Sequence, residues 1–172
     1  MFKIAIAPYA KKLSKNKPNP KDWPFFPKLI RLLRQHIPDC IITQLGADGE
    51  ELFDVNQDIT GLPIKFLIKQ LHEFNIIISV DSYIPHVCAA IGKQCIVLFS
   101  VTDSSIFGHS SNINLIKDKR FIAENKFDVL EKIMYDPEAF MKPDIILTLI
   151  LDAKKRNDNK SSKSKKEKEN EK

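Results

Sequence analysis

The sequence predicts one α/β domain: a Rossmann-like parallel sheet with helices on both faces. Three observations carry that expectation. Short β-branched or apolar segments alternate with segments whose apolar residues recur at helical spacing. One of the short segments, Ile76–Val80, reads as an apolar run, as a central strand covered on both faces requires. The 172 residues, 43% of them hydrophobic, suffice for one core without disulfides or metals.

The elements follow in order. Phe2–Ala7 is the first strand, and it runs into a Pro-, Lys- and Asn-rich loop, Pro8–Asp22. Asp22 is placed to cap a helix whose first turn tolerates Pro24. Phe26, Leu29, Ile30, Leu33 and Ile37 share one face of that helix, and Pro38-Asp39 breaks it. Trp23 is expected to anchor it on the sheet. Cys40–Gln44 is a second strand, followed by a turn at Gly46–Gly49. Ile64, Leu67, Ile68 and Leu71 mark a second helix. After the Ile76–Val80 strand, a short helix spans Pro85–Ile91 and stops at Gly92. Gln94–Phe99 is the next strand. Two more helices, around Phe127–Tyr135 and Asp144–Lys155, close the domain. Short βαβ spacing implies right-handed crossovers and parallel strands.

Charge narrows the possible functions. Of 27 basic and 22 acidic residues, nine and four fall between Lys154 and Lys172. The remaining 18 of each leave the folded part neutral, so a nucleic-acid-binding face gains no support. The expected domain is 1–155. Residues 156–172, a basic tail without apolar anchors, are expected to be disordered. Residues 1–20 do not read as a signal peptide, since Phe2–Ala7 is short and lysines follow it. Ile145–Leu151 falls far short of the roughly 20 residues that span a bilayer. Cys40, Cys88 and Cys95 sit among apolar neighbours without a C-x-x-C pair, which suits buried thiols in a reducing setting. The expected location is cytoplasmic.

Ligands of open parallel sheets bind beyond the carboxyl ends of the strands. The loops there are Pro8–Asp22, Leu45–Leu52, Asp81–Pro85 and Ser100–His109. In the third, Ser79-Val-Asp-Ser82 leads from a strand into a helix whose free N–H groups attract phosphate. Asp81 repels phosphate and suits sugar hydroxyls or a cation; alternatively, Asp81 and Ser82 serve only as caps. His86 is either an anion donor or an ordinary surface histidine. Lys21 either reaches a pyrophosphate near Asp81 or is a solvated loop lysine. Glu50 and Glu51, at the tip of the second strand, either accept ribose hydroxyls or remain solvated. The G-x-G-x-x-G, P-loop and G-x-S-x-G patterns are absent. His36, His72, His86 and His109 lack metal-ligand spacing. No cofactor and no metal are expected.

Together these segments resemble the carboxyl-terminal domain of glycosyltransferase family 9, the ADP-heptose lipopolysaccharide heptosyltransferases. The family's K-x-W-P matches Lys21-Asp-Trp-Pro24, and its G-x-x-x-E matches Gly46-Ala-Asp-Gly-Glu50. The long motif beginning S-V-D-[ST] resembles Ser79-Val-Asp-Ser-Tyr-Ile-Pro-His-Val-Cys-Ala-Ala-Ile-Gly-Lys93. The last motif resembles Leu98-Phe-Ser-Val-Thr-Asp-Ser104. The likeness runs from about residue 2 to residue 116, and Asn19-Pro-Lys and Phe107–Lys117 suggest a short, stand-alone branch.

The resemblance implies a single half of the GT-B type that binds an ADP- or other nucleoside-diphosphate sugar for transfer to a surface glycan hydroxyl. It implies Lys21 on the diphosphate, Glu50 on the ribose, Leu62 beside the base and Asp81 on the sugar. The Ser82 amide and His86 would line the phosphates, and Thr102 of the last motif joins the set. Three departures stand out. Tyr83 replaces a glycine, Ser100-Val101 replaces Gly-Pro, and Gln94 replaces a proline. The family's acceptor site and catalytic base belong to an amino-terminal half, so a partner chain or a second copy is expected to supply them. No residue here is identified as that base. A domain that binds nucleotide sugar or proteins without catalysis is the alternative.

Overall fold

The computed structural model describes residues 1–14, 17–124 and 130–170, without the side chains of 160, 161 and 163–170. Among these residues β1 (Lys3–Ala7), β2 (Ile41–Gln44), β3 (Gln57–Asp58), β4 (Ile76–Val80), β5 (Ile96–Phe99) and β6 (Ile113–Ile116) form one sheet. Its order is β3-β2-β1-β4-β5-β6, with every neighbouring pair parallel. This is the Rossmann order, in which the chain builds outward from β1 to one edge and then from β4 to the other.

Alternation along the strands divides the core in two. Ile4, Ile6, Ile76, Ile78 and Val80 face one layer, where they meet Phe26, Leu29 and Leu33 of α1 (Phe26–His36). Ile146 and Ile150 of α5 (Pro143–Asn170) and the fully buried Phe140 complete that layer. Ala5, Ala7, Ile77 and Val97 face the other way, against Leu67 and Leu71 of α2 (Ile64–Glu73) and Ile84 and Cys88 of α3 (Tyr83–Ala90). All five residues of β4 are buried because helices cover both faces. Cys40, Cys88 and Cys95 are free and buried.

Several expectations need correction. Helix α1 begins at Phe26, not after Asp22, and Phe25 at its N-cap makes no side-chain cap. Asp22 instead accepts the Ala10 N–H at 2.7 Å, and Pro27, not Pro24, stands in the first turn. Trp23, 2% exposed, packs edge-on against Phe26 and donates its indole N–H to the Met141 carbonyl at 2.9 Å. It anchors the loop to the approach of α5 as much as the helix to the sheet. Helix α3 starts two residues before Pro85, whose missing N–H costs nothing within a first turn.

Of the helix expected around Phe127–Tyr135, residues 125–129 lie outside the described residues. The rest is a single 3-10 turn, Leu130–Lys132, followed by irregular chain. Strands β3 and β6 were not expected. A four-residue helix, α4 (Ser104–Phe107), leads toward β6, with Asp103 capping it through the Ser105 N–H. Helix α5 starts at Pro143 and continues to Asn170, across most of the segment expected to be disordered. No Gly or Pro follows Pro143, and the Lys, Arg and Glu of the segment favour helix. No helix among the described residues is long and apolar enough to cross a membrane.

Candidate functional site

The loops after β1, β2 and β4 wall a cleft at the carboxyl edge of the sheet. The β1 loop is shaped from within. Asn19, 2% exposed, donates its amide to the Lys11 carbonyl at 2.7 Å and accepts the Lys21 N–H at 2.9 Å. Asp22 holds Ala10 on the same stretch. From behind, the buried Ser100 hydroxyl at the end of β5 donates to the Pro20 carbonyl at 2.7 Å. These bonds carry Lys21 to the end of β4, where its ammonium lies 2.7 Å from Asp81 Oδ2. The side chains are only 17% and 6% exposed. The Thr102 hydroxyl donates to the same carboxylate oxygen at 2.8 Å.

The β2 loop is stitched by Gln44, which is fully buried. Its amide donates to the Glu51 carbonyl at 2.8 Å, and its oxygen accepts the Phe53 N–H at 2.9 Å. Glu50 folds back over Gly46, where any Cβ would collide with its carboxylate. This is a steric reason for glycine four residues before that acid. Glu50 Oε2 is buried and has no hydrogen-bond partner. Burial pushes the Glu50 carboxyl up, partly offset by the Ala47 N–H.

Two adjoining hollows occupy the cleft. One, of about 520 Å³, is lined among others by Lys11, Lys12, Lys21, Glu50, Asp81, Ser82 and Tyr83. The other, of about 540 Å³, is lined by Leu13, Lys17, Asp22 and Glu51; Tyr9, Lys12, Asn19 and Glu50 border both. Burial raises Asp22 to about 6 against the Ala10 N–H. Tyr9 is pushed up to about 12, first by burial and then by Glu51, Asp22 and Glu50. Its ring stacks on Phe53. Tyr83 extends across the cleft and donates to the Gly46 carbonyl at 3.4 Å. Burial and Glu50 together raise its pKa.

Lys21, Glu50, Asp81 and Ser82 therefore share one hollow, with Thr102 behind Asp81. Ser82 occupies the N-cap of α3 without a side-chain cap bond, its hydroxyl 3.2 Å from that of Ser79. His86 and Leu62 are not in the lining. His86 Nδ1 meets His109 Nε2 at 2.7 Å, and Leu62 packs against the α2–α3 core layer. Lys93, part of the long motif, is also elsewhere. It donates to the His72 and Phe74 carbonyls at 3.2 and 2.5 Å, closing the end of α2. Tyr9, Lys11, Lys12 and Asn19 were not foreseen as lining. The signal available was their place in the Pro8–Asp22 loop, without the bonds that fold it. Among the described residues, no group of three or more His, Cys, Asp or Glu is disposed to hold a metal ion.

No protein-family model matches the chain, and no curated protein sequence matches it. A solved structure, the E. coli heptosyltransferase WaaC with ADP, aligns with a TM-score of 0.50 at 17% identity. The match covers 65% of this chain and 36% of that one, so the chain spans little more than a third of that enzyme's length. At this identity the likeness concerns the fold: a six-stranded parallel α/β architecture of the Rossmann kind.

Proposed function

We propose that the chain binds a nucleoside-diphosphate sugar in the cleft after β1, β2 and β4 and forms the donor half of a glycosyltransferase. The observation that carries the reading is Glu50 Oε2, a buried carboxylate oxygen with no partner, beside lysines that line the same hollow. A buried acceptor without a donor is held at a cost, which a turn of the Glu50 side chain toward a ligand hydroxyl in the hollow relieves. The adjoining cations suit a phosphate. A ribose on Glu50 with its diphosphate toward Ser82 and the start of α3 satisfies both. The bound ADP of the WaaC structure is in keeping with this reading. Lys21 and Thr102 then hold Asp81 in place for the donor sugar. His86 reaches the phosphates only by leaving His109.

In the reaction, an acceptor hydroxyl of a surface glycan attacks the anomeric carbon. The bond from that carbon to the diphosphate oxygen breaks, and the nucleoside diphosphate leaves with the electron pair. Cations and N–H groups in the cleft stabilise that growing charge. The acceptor hydroxyl gives its proton to a general base, which completes the exchange. Tyr83 favours a second reading, in which the domain binds nucleotide sugar without transfer. Its ring lines the hollow, and its hydroxyl donates to the Gly46 carbonyl.

Thermal unfolding with ADP-, GDP- and UDP-sugars tests the reading. Ligand at 100 times its Kd stabilises by about 2.7 kcal/mol. Glu50→Gln should abolish most of that gain while leaving the unliganded protein folded. No rise with any nucleotide sugar refutes donor binding. A rise without hydrolysis or transfer in the presence of glycan supports the second reading.

A further inference from the structure

The three lysines of the 520 Å³ hollow are not equivalent. Lys21 is committed: its ammonium sits against Asp81, and both side chains are largely buried. A phosphate on its remaining N–H groups would stand beside the buried Asp81 carboxylate, and two anions sharing one ammonium repel each other. Lys12 carries no such commitment. Its ammonium makes a 3.3 Å bond to the Gly49 carbonyl on the opposite wall, and both hollows border it. Lys12 and its neighbour Lys11 are exposed. Glu50 also feels the Lys12 charge, which acts against the effect of burial on that carboxyl. An acid that suits hydroxyls and a cation that suits an anion therefore border the same two hollows. A ribose and its first phosphate have the same adjacency.

We infer that the anionic end of the ligand is held by Lys12, with Lys11 beside it, while Lys21 is a positioning residue that fixes Asp81. The inference rests on the donor-site reading and deepens it. Lys21 and Asp81 cancel each other's charge, so the pair adds little net attraction for an anion. Lys12 exchanges a single neutral carbonyl for a phosphate oxygen, a stronger charge-assisted bond. Lys21 acts at one remove, by keeping the Asp81–Ser82 turn and the start of α3 where the ligand meets them.

Titration calorimetry with inorganic pyrophosphate, ADP and adenosine distinguishes the roles. The proteins are the wild type, Lys12→Met, Lys12→Arg, Lys21→Met and the double variant Lys21→Met/Asp81→Asn, each checked for folding by circular dichroism. Lys12→Met should weaken pyrophosphate and ADP roughly tenfold or more, as loss of a charge-assisted bond does, and leave adenosine unchanged. Lys12→Arg should retain binding within about threefold, since a cation remains. The double variant loosens the Asp81–Ser82 turn but removes no net charge, so it should weaken pyrophosphate clearly less than Lys12→Met does. Normal binding by Lys12→Met, or a loss in the double variant equal to that of Lys12→Met, overturns the inference. If pyrophosphate binds through Lys12 and ADP binds no tighter, the nucleotide reading fails and the anion site stands. If neither binds the wild type, both fall.

Discussion

Replacing Lys21 with Met removes the ammonium and keeps most of the stem that packs in the loop. Asp81, its side chain 6% exposed, then retains the Thr102 hydroxyl and loses its cation. Stranding one half of a buried ion pair costs about 3–5 kcal/mol. For a chain of this length that corresponds to a fall in Tm of about 2–4 °C per kcal/mol, so roughly 6–20 °C. The reverse change, Asp81→Asn, should cost less. Lys21 is 17% exposed, and its long stem can carry the ammonium to water. The asparagine oxygen still accepts from Thr102. The double variant has no stranded charge and should recover most of the loss. Urea unfolding measures all three as shifts in midpoint at constant slope. A loss can approach the 5–15 kcal/mol total of a typical domain. Recovery in the double variant is therefore the decisive reading. A Lys21→Met protein within about 0.5 kcal/mol of wild type refutes the argument, because surface pairs contribute that little. So does a double variant no better than the single.

Two further perturbations probe the same cleft. Asp22 has its pKa raised from 3.8 to about 6. The native state therefore holds a proton that the unfolded chain releases first. Its contribution is complete below about pH 4 and is lost as pH rises through about 6. Linkage puts the loss at about 3 kcal/mol, and about half that once partial exposure is discounted. Asp22→Asn, which can still accept from Ala10, should gain about 1–2 kcal/mol on wild type between pH 4 and pH 8. Urea midpoints at the two pH values check this, and a constant difference contradicts it. Gly46→Ala should move the Glu50 carboxylate, because the new Cβ meets the far end of that flexible side chain. The expected result is weaker ADP binding with a folding cost under about 1 kcal/mol. A cost above about 2 kcal/mol would mean that the backbone, not Glu50, gives way.

Where burial is two-sided, local sequence is enough to recognise the element. The Ile76–Val80 strand and the Phe26, Leu29, Ile30, Leu33 face show this, because each residue's fate depends on its own polarity and spacing. Strand β3 could not be read this way: Gln57 and Asp58 are both exposed and join the sheet through the backbone beside Thr43 and Gln44 and through a bond from the Thr43 hydroxyl to the Gln57 side chain. Strand β6 lies at the opposite edge, with all four residues half-buried, and its pattern fell inside a segment read only as a motif. The start of α1 was misplaced because Asp22 looks like a cap from its neighbours alone. Its partner is the Ala10 N–H, twelve residues back. Asp81 and Ser82 were legible as candidates because they follow β4 directly, and Lys21 and Glu50 because they lie in the loops after β1 and β2 in a predictable topology. The roles of Tyr9, Lys12 and His109 depend on how loops fold back on one another, which spacing does not record.

The strand order explains why this edge holds the cleft. Between β1 and β4 the chain changes direction of growth, so the loops that follow them diverge and leave a crevice. In this chain the Lys21–Asp81 bond spans that divide, since Lys21 belongs to the loop after β1 and Asp81 ends β4. A ligand anion cannot displace that bond without uncovering a buried carboxylate. It is therefore directed toward the neighbouring gap between the β1 and β2 loops, where Lys12 reaches to Gly49 and Glu50 leaves an oxygen unpaired. Topology locates the crevice, and the choice of which lysine is neutralised decides which side of it receives charge. Moving the salt bridge should therefore move the anion. Neutralising Asp81 alone frees Lys21 and should tighten pyrophosphate binding, whereas neutralising both partners should leave it where Lys12 holds it. Equal affinities for Asp81→Asn and the double variant would mean that Lys21 never comes within reach of the anion.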